Sequence, residues 1–153
     1  MSEIVIRKMQ SEDLSQVCEI ERDNFSVPWS EKSFKDSMER NDTVFLAAFV
    51  DTEVVGYIGC YCIAGTGEIT NVAVKAAHRR QGIGGMLLEK LYEEGAALDT
   101  HEFFLEVRES NEAAIGLYSR QGFEKEGIRK NFYEKPVENA VIMWNHFPLG
   151  INQ

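Results

Sequence analysis

Three sets of residues in this chain could do chemistry. The turn Arg79-Arg80-Gln81-Gly82-Ile83-Gly84-Gly85 follows the apolar run Ile69-Thr70-Asn71-Val72-Ala73-Val74. It precedes a segment with apolar residues at Ile83, Leu87, Leu88 and Leu91. A strand, a glycine turn and a helix start together make an anion site. Glycine lets backbone N–H groups approach a ligand closely, and the helix start adds unpaired donors and partial positive charge. Lys75, His78, Arg79 and Arg80 make the approach basic, so the expected ligand carries phosphates. The second set is Glu106, a carboxylate near the end of the strand Phe103-Phe104-Leu105-Glu106-Val107-Arg108. Desolvation there would raise its pKa and suit it to general base work. The competing reading is an ion pair with Arg108 or Arg129. The third is Tyr118, on a helical segment beside Leu117, either a proton donor or a core tyrosine whose hydroxyl reaches a partner.

The glycine spacing separates the phosphate ligands. A Walker A loop needs Gly-Lys followed by Ser or Thr, whereas Gly84 is followed by Gly85 and Met86. A dinucleotide fingerprint needs a small residue where Leu87 stands. Arg79, Gly82 and Gly84 match Arg/Gln-x-x-Gly-x-Gly/Ala in full. That pattern resembles the acetyl-CoA loop of the Gcn5-related N-acetyltransferase (GNAT) superfamily, whose loop amides hold the coenzyme pyrophosphate. The alternative is a glycine-rich helix cap with solvated arginines.

The elements that must position these residues follow from periodicity. A first strand holds Ile4 and Ile6. A helix capped at Ser11 runs to about Asn24, with Leu14, Val17, Ile20 and Glu21 at helical spacing. Residues 25–30 read as a loop, and Ser30 caps a short helix carrying Phe34 and Met38. Strands are expected at 43–50, 54–63, 68–74, 102–107, 123–133 and 140–146, and helices at 83–98 and 112–121, the last closed by Gly122. The order β-α-α-β-β-β-α-β-α-β-β predicts an α/β mixed sheet flanked by helices. The two later helices are expected as crossovers between parallel strands.

The length of 153 residues suits a single domain, 1–153, with a full core. No apolar run is long enough to span a bilayer, and Met1 to Ile6 lacks the marks of a signal peptide. The expectation is a cytoplasmic protein without a membrane partner. A formal charge of −9 argues against a nucleic-acid partner and favours a basic substrate. Cys18, Cys60 and Cys62 lack metal-ligand spacing. They are expected as reduced core residues, with no metal cofactor.

Several longer segments are more specific than the loop. Pro28-Trp29-Ser30-Glu31-Lys32 with Phe34, Leu105-Glu106-Val107-Arg108 with Ser110-Asn111, Ala113-Ala114, Leu117-Tyr118, Gly122-Phe123, Arg129-Lys130-Asn131-Phe132-Tyr133 and Glu138 to Met143 occur in this order across nearly the whole chain. Together they resemble the RimI branch of the GNAT superfamily, the ribosomal-protein alanine N-acetyltransferases. The resemblance implies a GNAT fold and transfer of an acetyl group from acetyl-CoA to a protein N-terminus, foremost the N-terminal alanine of small-subunit ribosomal protein eighteen. It also implies roles. Glu106 would accept the proton of the amine and Tyr118 would protonate the leaving thiolate. Val72, Ala73 and Val74 would bind the acetyl and pantetheine parts. Arg80, Gln81, Gly82, Ile83, Gly84 and Gly85 would hold the pyrophosphate, and Asn111 would contact the cofactor. The loop of Trp29 and the hairpin of Phe132 and Tyr133 would flank the peptide. Glu31, Glu134 and Glu138 would favour its basic side chains.

The chain departs from the pattern in four places. Gly85 replaces a common basic residue, Ala76-Ala77 a common Asp-Pro, Phe132 a frequent tyrosine and Asn139 a frequent aspartate. An α-amine, with a pKa of about 7.7–8.0 against about 10.4 for lysine, is partly neutral near pH 7, so one carboxylate suffices as base. A covalent route through Cys60 or Cys62 lacks an evident base. Two alternatives stay open: acetylation of a small amine, and a non-catalytic acetyl-CoA-binding module.

Overall fold

The apolar runs become the strands of one sheet in the computed structural model, which describes residues 3–148. The strands are β1 (Ile4–Lys8), β2 (Thr43–Val50), β3 (Glu53–Ile63), β4 (Thr66–Val74), β5 (Glu102–Arg108), β6 (Glu124–Tyr133) and β7 (Glu138–Asn145). The helices are α1 (Leu14–Asn24), α2 (Glu31–Met38), α3 (Ile83–Ala96) and α4 (Glu112–Arg120). Among the described residues no helix is long and apolar enough to cross a membrane.

The strands lie in the order β1-β2-β3-β4-β5-β7-β6. β2 and β3 are apolar along nearly their whole length because helices cover both faces of the sheet. On one face α1 and α2 bury Val17, Ile20 and Phe34 against Phe45, Phe49 and Tyr57. On the other, α3 and α4 bury Leu87, Leu91 and Tyr118 against Ile58, Phe103 and Leu105. Ser30 caps α2 through the Ser33 N–H at 3.1 Å. The start of α1 differs from expectation. A short 3-10 turn comes first, and Asp13 reaches back to the Gln10 N–H while pairing with Arg7.

The two crossovers also differ from one another. The one through α3 makes β4 and β5 parallel neighbours. The one through α4 does not, because β7 inserts between β5 and β6 and pairs antiparallel with both. Burial explains the choice. β7 carries buried Ala140, Val141 and Met143, whereas nearly every residue of β6 is exposed, so the more apolar strand takes the inner place.

The pairing of β4 with β5 stops early. It joins only Thr66 to Glu102, Gly67 to Phe103 and Glu68 to Phe104. Beyond that point β4 runs to Val74 and β5 to Arg108 without pairing. The register of β3 and β4 shifts where Gly59 faces Asn71 and Cys60 faces Ile69, which leaves Thr70 as an extra residue. A bulge bends its strand and increases the local twist, and this bend turns β4 away from β5.

Candidate active site

The opening between β4 and β5 is lined by backbone groups of the two strands. The Lys75 N–H donates to the Val55 carbonyl of β3. In an extended strand the backbone groups alternate in direction, so those of Val72 and Val74 point the other way, into the opening. Those of Ala73 serve β3. The Val74 carbonyl already accepts from the Arg79 Nε at 3.1 Å.

At the far end of β4, Arg80 (φ 65°) and Gly82 (φ 79°) adopt left-handed backbone and turn the chain into α3. No side chain caps α3, and the Met86 N–H is taken by the Gly82 carbonyl. The N–H groups of Ile83, Gly84 and Gly85 are therefore left outside the helix ladder. This donor set suits a polyphosphate. A Cβ at Gly82 would meet nothing within 4 Å, so the turn is open on that side. Gly84 is glycine for a second reason. A Cβ there would stand 2.8 Å from Leu117 Cδ2 of α4, so its smallness lets α3 and α4 pack. Ile83 is 1% exposed, so only its backbone can face a ligand. Asn111 caps α4 by accepting the Ala114 N–H at 3.1 Å, which leaves its amide nitrogen as a donor.

Glu106 and Tyr118 lie on opposite faces of the sheet. Along β5, Phe103, Leu105 and Val107 pack on the side of α3, so Glu106 projects to the side of α1 and α2. Tyr118 lies in the α3 side core, its ring 5.7 Å from Phe123. Burial raises the Glu106 pKa. The guanidinium of Arg129 opposes that rise and the Glu68 carboxylate adds to it. Of the two arginines weighed as its partner, Arg129 makes the pair, at 2.9 Å. Burial also raises the Tyr118 pKa, helped by Tyr133 and Tyr92, so the phenol keeps its proton. Tyr133 is pushed up to about 12 by burial and by the Glu106 charge. Among the described residues no hydrogen bond uses the Tyr118 hydroxyl. Among the described residues no fully buried side-chain nitrogen or oxygen lacks a partner, so that hydroxyl is not wholly closed off. Tyr118→Phe keeps the packed ring and removes the hydroxyl expected to act as proton donor. The expected result is lower turnover with little change in the Michaelis constant for acetyl-CoA. A variant that loses stability but keeps its rate per folded molecule would make Tyr118 a core residue only.

Arg108 builds the flank of the site, a role that the sequence reading did not assign to it. Its guanidinium donates to Ser26 Oγ at 3.0 Å and to the Pro136 carbonyl at 2.9 Å. It pairs with Glu138 at 3.2 Å and lies over the Tyr133 ring at 4.4 Å. One side chain thus ties the loop after α1 to the β6–β7 hairpin. Glu138 also accepts the Ser110 N–H at 2.6 Å. Its carboxylate is engaged inside the protein, which leaves Glu31 and Glu134 as the acidic candidates for a basic peptide. Trp29, expected beside the peptide, is half-buried, with its ring 5.2 Å from Phe34 and 6.3 Å from Phe45, and packs against the core. The exposed apolar groups beside it are Phe25 and Val27, and across from them Phe132, in edge contact with Tyr133.

Glu21 holds the base of that loop and is 2% exposed. It accepts the Tyr57 hydroxyl at 2.5 Å, the Trp29 N–H at 3.0 Å and the Asn71 amide at 3.5 Å. The signal was present in the sequence: a carboxylate at a position of the apolar stripe of α1. The cysteines are free and buried, with Cys60 and Cys62 sharing one face of β3.

Comparison with known proteins gives four concordant findings. Residues 14–123 match the acetyltransferase (GNAT) family. A Bacillus subtilis protein provisionally named ribosomal protein bS18-alanine N-acetyltransferase is 37% identical over 140 residues, 91% of this chain and 93% of its own. The crystal structure of the Escherichia coli ribosomal-protein-S18-alanine N-acetyltransferase superposes with a TM-score of 0.86 at 30% identity, covering 96% of each chain. Arabidopsis thaliana NAA60, solved in complex with acetyl-CoA, shares the fold, with a TM-score of 0.83 at 19% identity over 93% of this chain and 98% of its own.

Proposed function

The chain belongs to the acetyltransferase (GNAT) family, and from that premise we propose that it moves the acetyl group of acetyl-CoA onto the α-amine of the N-terminal alanine of ribosomal protein bS18, acting as one domain. The named activity of its relatives supports the substrate. One structural observation supports the chemistry. Glu106 and Tyr118 lie on opposite faces of the sheet, whose β4 and β5 stop pairing after Glu68 and Phe104.

Acetyl-CoA would supply the acetyl group as an activated thioester. The N–H groups of Ile83, Gly84 and Gly85, with Arg80 beside them, would hold its pyrophosphate. The edge of Val72 and Val74 would take the amide-bearing arm. The amine would enter from the side of α1 and α2, between the loop of Phe25 and the hairpin of Phe132. Glu106 would take the amine's proton, directly or through one water. A backbone N–H at the edge of β4 would stabilise negative charge on the carbonyl oxygen. Tyr118, on the coenzyme side, would return a proton to the thiolate. Because acid and base are separate groups on separate faces, neither has to turn over within the site.

The test is a panel of peptides with acetyl-CoA, read by mass spectrometry. Peptides that begin with a free alanine and continue with basic residues should be acetylated on the α-amine, and the same peptides with blocked N-termini should be inert. Equal labelling of internal lysines, or a preference for polyamines, would replace this substrate with a small or side-chain amine.

A further inference from the structure

The ion pair of Glu106 with Arg129 is lopsided. The Glu106 side chain is 16% exposed and the Arg129 side chain 58%. Arg129 stands on β6 at the sheet edge, and its partner lies two strands inward, beyond β7. In the register, Arg129 aligns with Ala140, and Ala140 with Arg108. Ala140 offers only a methyl group, so the long arginine can lie across β7 and reach Glu106. Just after Arg129 the β6–β7 ladder is interrupted as far as Tyr133, with Asn131 at φ 53°. The guanidinium has a second resting place, since it already lies 5.4 Å from the centre of the exposed Phe132 ring. A cation is thus brought from solvent to the Glu106 carboxylate, on the face where the amine is expected, and it has somewhere to withdraw.

We propose that Arg129 occupies on Glu106 the place of the substrate's ammonium group, and that peptide binding exchanges one cation for the other. The inference rests on the acetyltransferase reading above and deepens it. An exchange would keep the half-buried carboxylate paired throughout, which avoids the cost of an isolated buried charge. The arriving ammonium donates to Glu106 while the guanidinium moves onto Phe132. The amine's N–H bond then breaks, an O–H bond forms on Glu106, and the freed electron pair becomes the nucleophile. Arg129 keeps its own protons at every stage. The pair therefore reserves the site for a positively charged head group.

Arg129→Gln removes the competitor. The Michaelis constant for an alanine-starting peptide at about pH 7, where most of the α-amine is charged, should fall about two- to fivefold, the range of a partly exposed ion pair. The acidic limb of kcat/KM should also move to higher pH. The charge opposing protonation of Glu106 is then gone, while burial, Glu68 and the nearby Tyr133 remain. Arg129→Lys keeps a positive charge and should keep the limb near its original place. An ordinary structural pair would leave the peptide Michaelis constant where it was, although the limb would still move. A peptide Michaelis constant in Arg129→Gln that is unchanged or raised overturns the exchange, whatever the pH profile. If the unaltered protein acetylates no peptide, the substrate reading falls and the exchange with it. If it does acetylate peptides, the variant tests the exchange alone.

Discussion

Glu106→Gln should lower turnover on an alanine-starting peptide by about 10²–10⁴-fold, while acetyl-CoA affinity changes little. Glutamine keeps the shape of the side chain and cannot take a proton. The fold should survive, because the lost partner, Arg129, is largely exposed and such pairs contribute little to stability. The pH dependence distinguishes a base from a binding group. An α-amine loses its own proton near pH 7.7–8.0, so above that range the variant needs Glu106 less and its deficit should narrow. A deficit constant from pH 6.5 to 9.5 would assign Glu106 to binding, and unchanged turnover would remove it from the mechanism.

Glu21→Ala should destabilise the protein by about 3–5 kcal/mol in urea denaturation, a large part of a typical domain's total. The carboxyl accepts from the Tyr57 hydroxyl, the Trp29 N–H and the Asn71 amide, and alanine leaves these donors facing a gap in the core. Each buried donor left without an acceptor costs about 1–3 kcal/mol. Glu21→Gln retains one acceptor oxygen and nearly the same volume, so its loss should be about half as large. An alanine variant within about 1 kcal/mol of the original protein would mean that water restores the lost hydrogen bonds. The effect should extend to the site, because Trp29 anchors the loop that carries Phe25 and Val27, and Asn71 precedes the Val72 edge.

Much of this was legible from local pattern. The helical spacing of Ile83, Leu87, Leu88 and Leu91 placed a helix after the glycine turn, and the alternation along Phe103 to Arg108 marked the strand carrying Glu106. Both are short-range properties of the chain. What the sequence hid depends on which strands meet and where they stop meeting. Nothing local says that β7 lies between β5 and β6, and only that order lets Arg129 rather than Arg108 reach Glu106. The glycine turn looked like a ligand cradle throughout, but Gly84 also answers to Leu117, far along the chain. Trp29 and Glu138 looked available to a peptide because their partners, Phe34, Phe45, Arg108 and the Ser110 N–H, come from other elements. Glu21 could have been noticed, since an acidic residue on an apolar stripe needs buried donors to satisfy it.

The early end of the β4–β5 pairing gives the sheet a slot where one strand's worth of hydrogen bonds is missing. An open strand edge is normally a hazard, since any extended chain can add to it and begin aggregation. This one is recessed, with β5 beyond the slot and helices over both faces. A slender molecule with amide groups along its length can complete the ladder there. Whatever fills it also closes the sheet, so the occupied protein gains stability by mass action. The unfolding midpoint should therefore rise with the concentration of that filler.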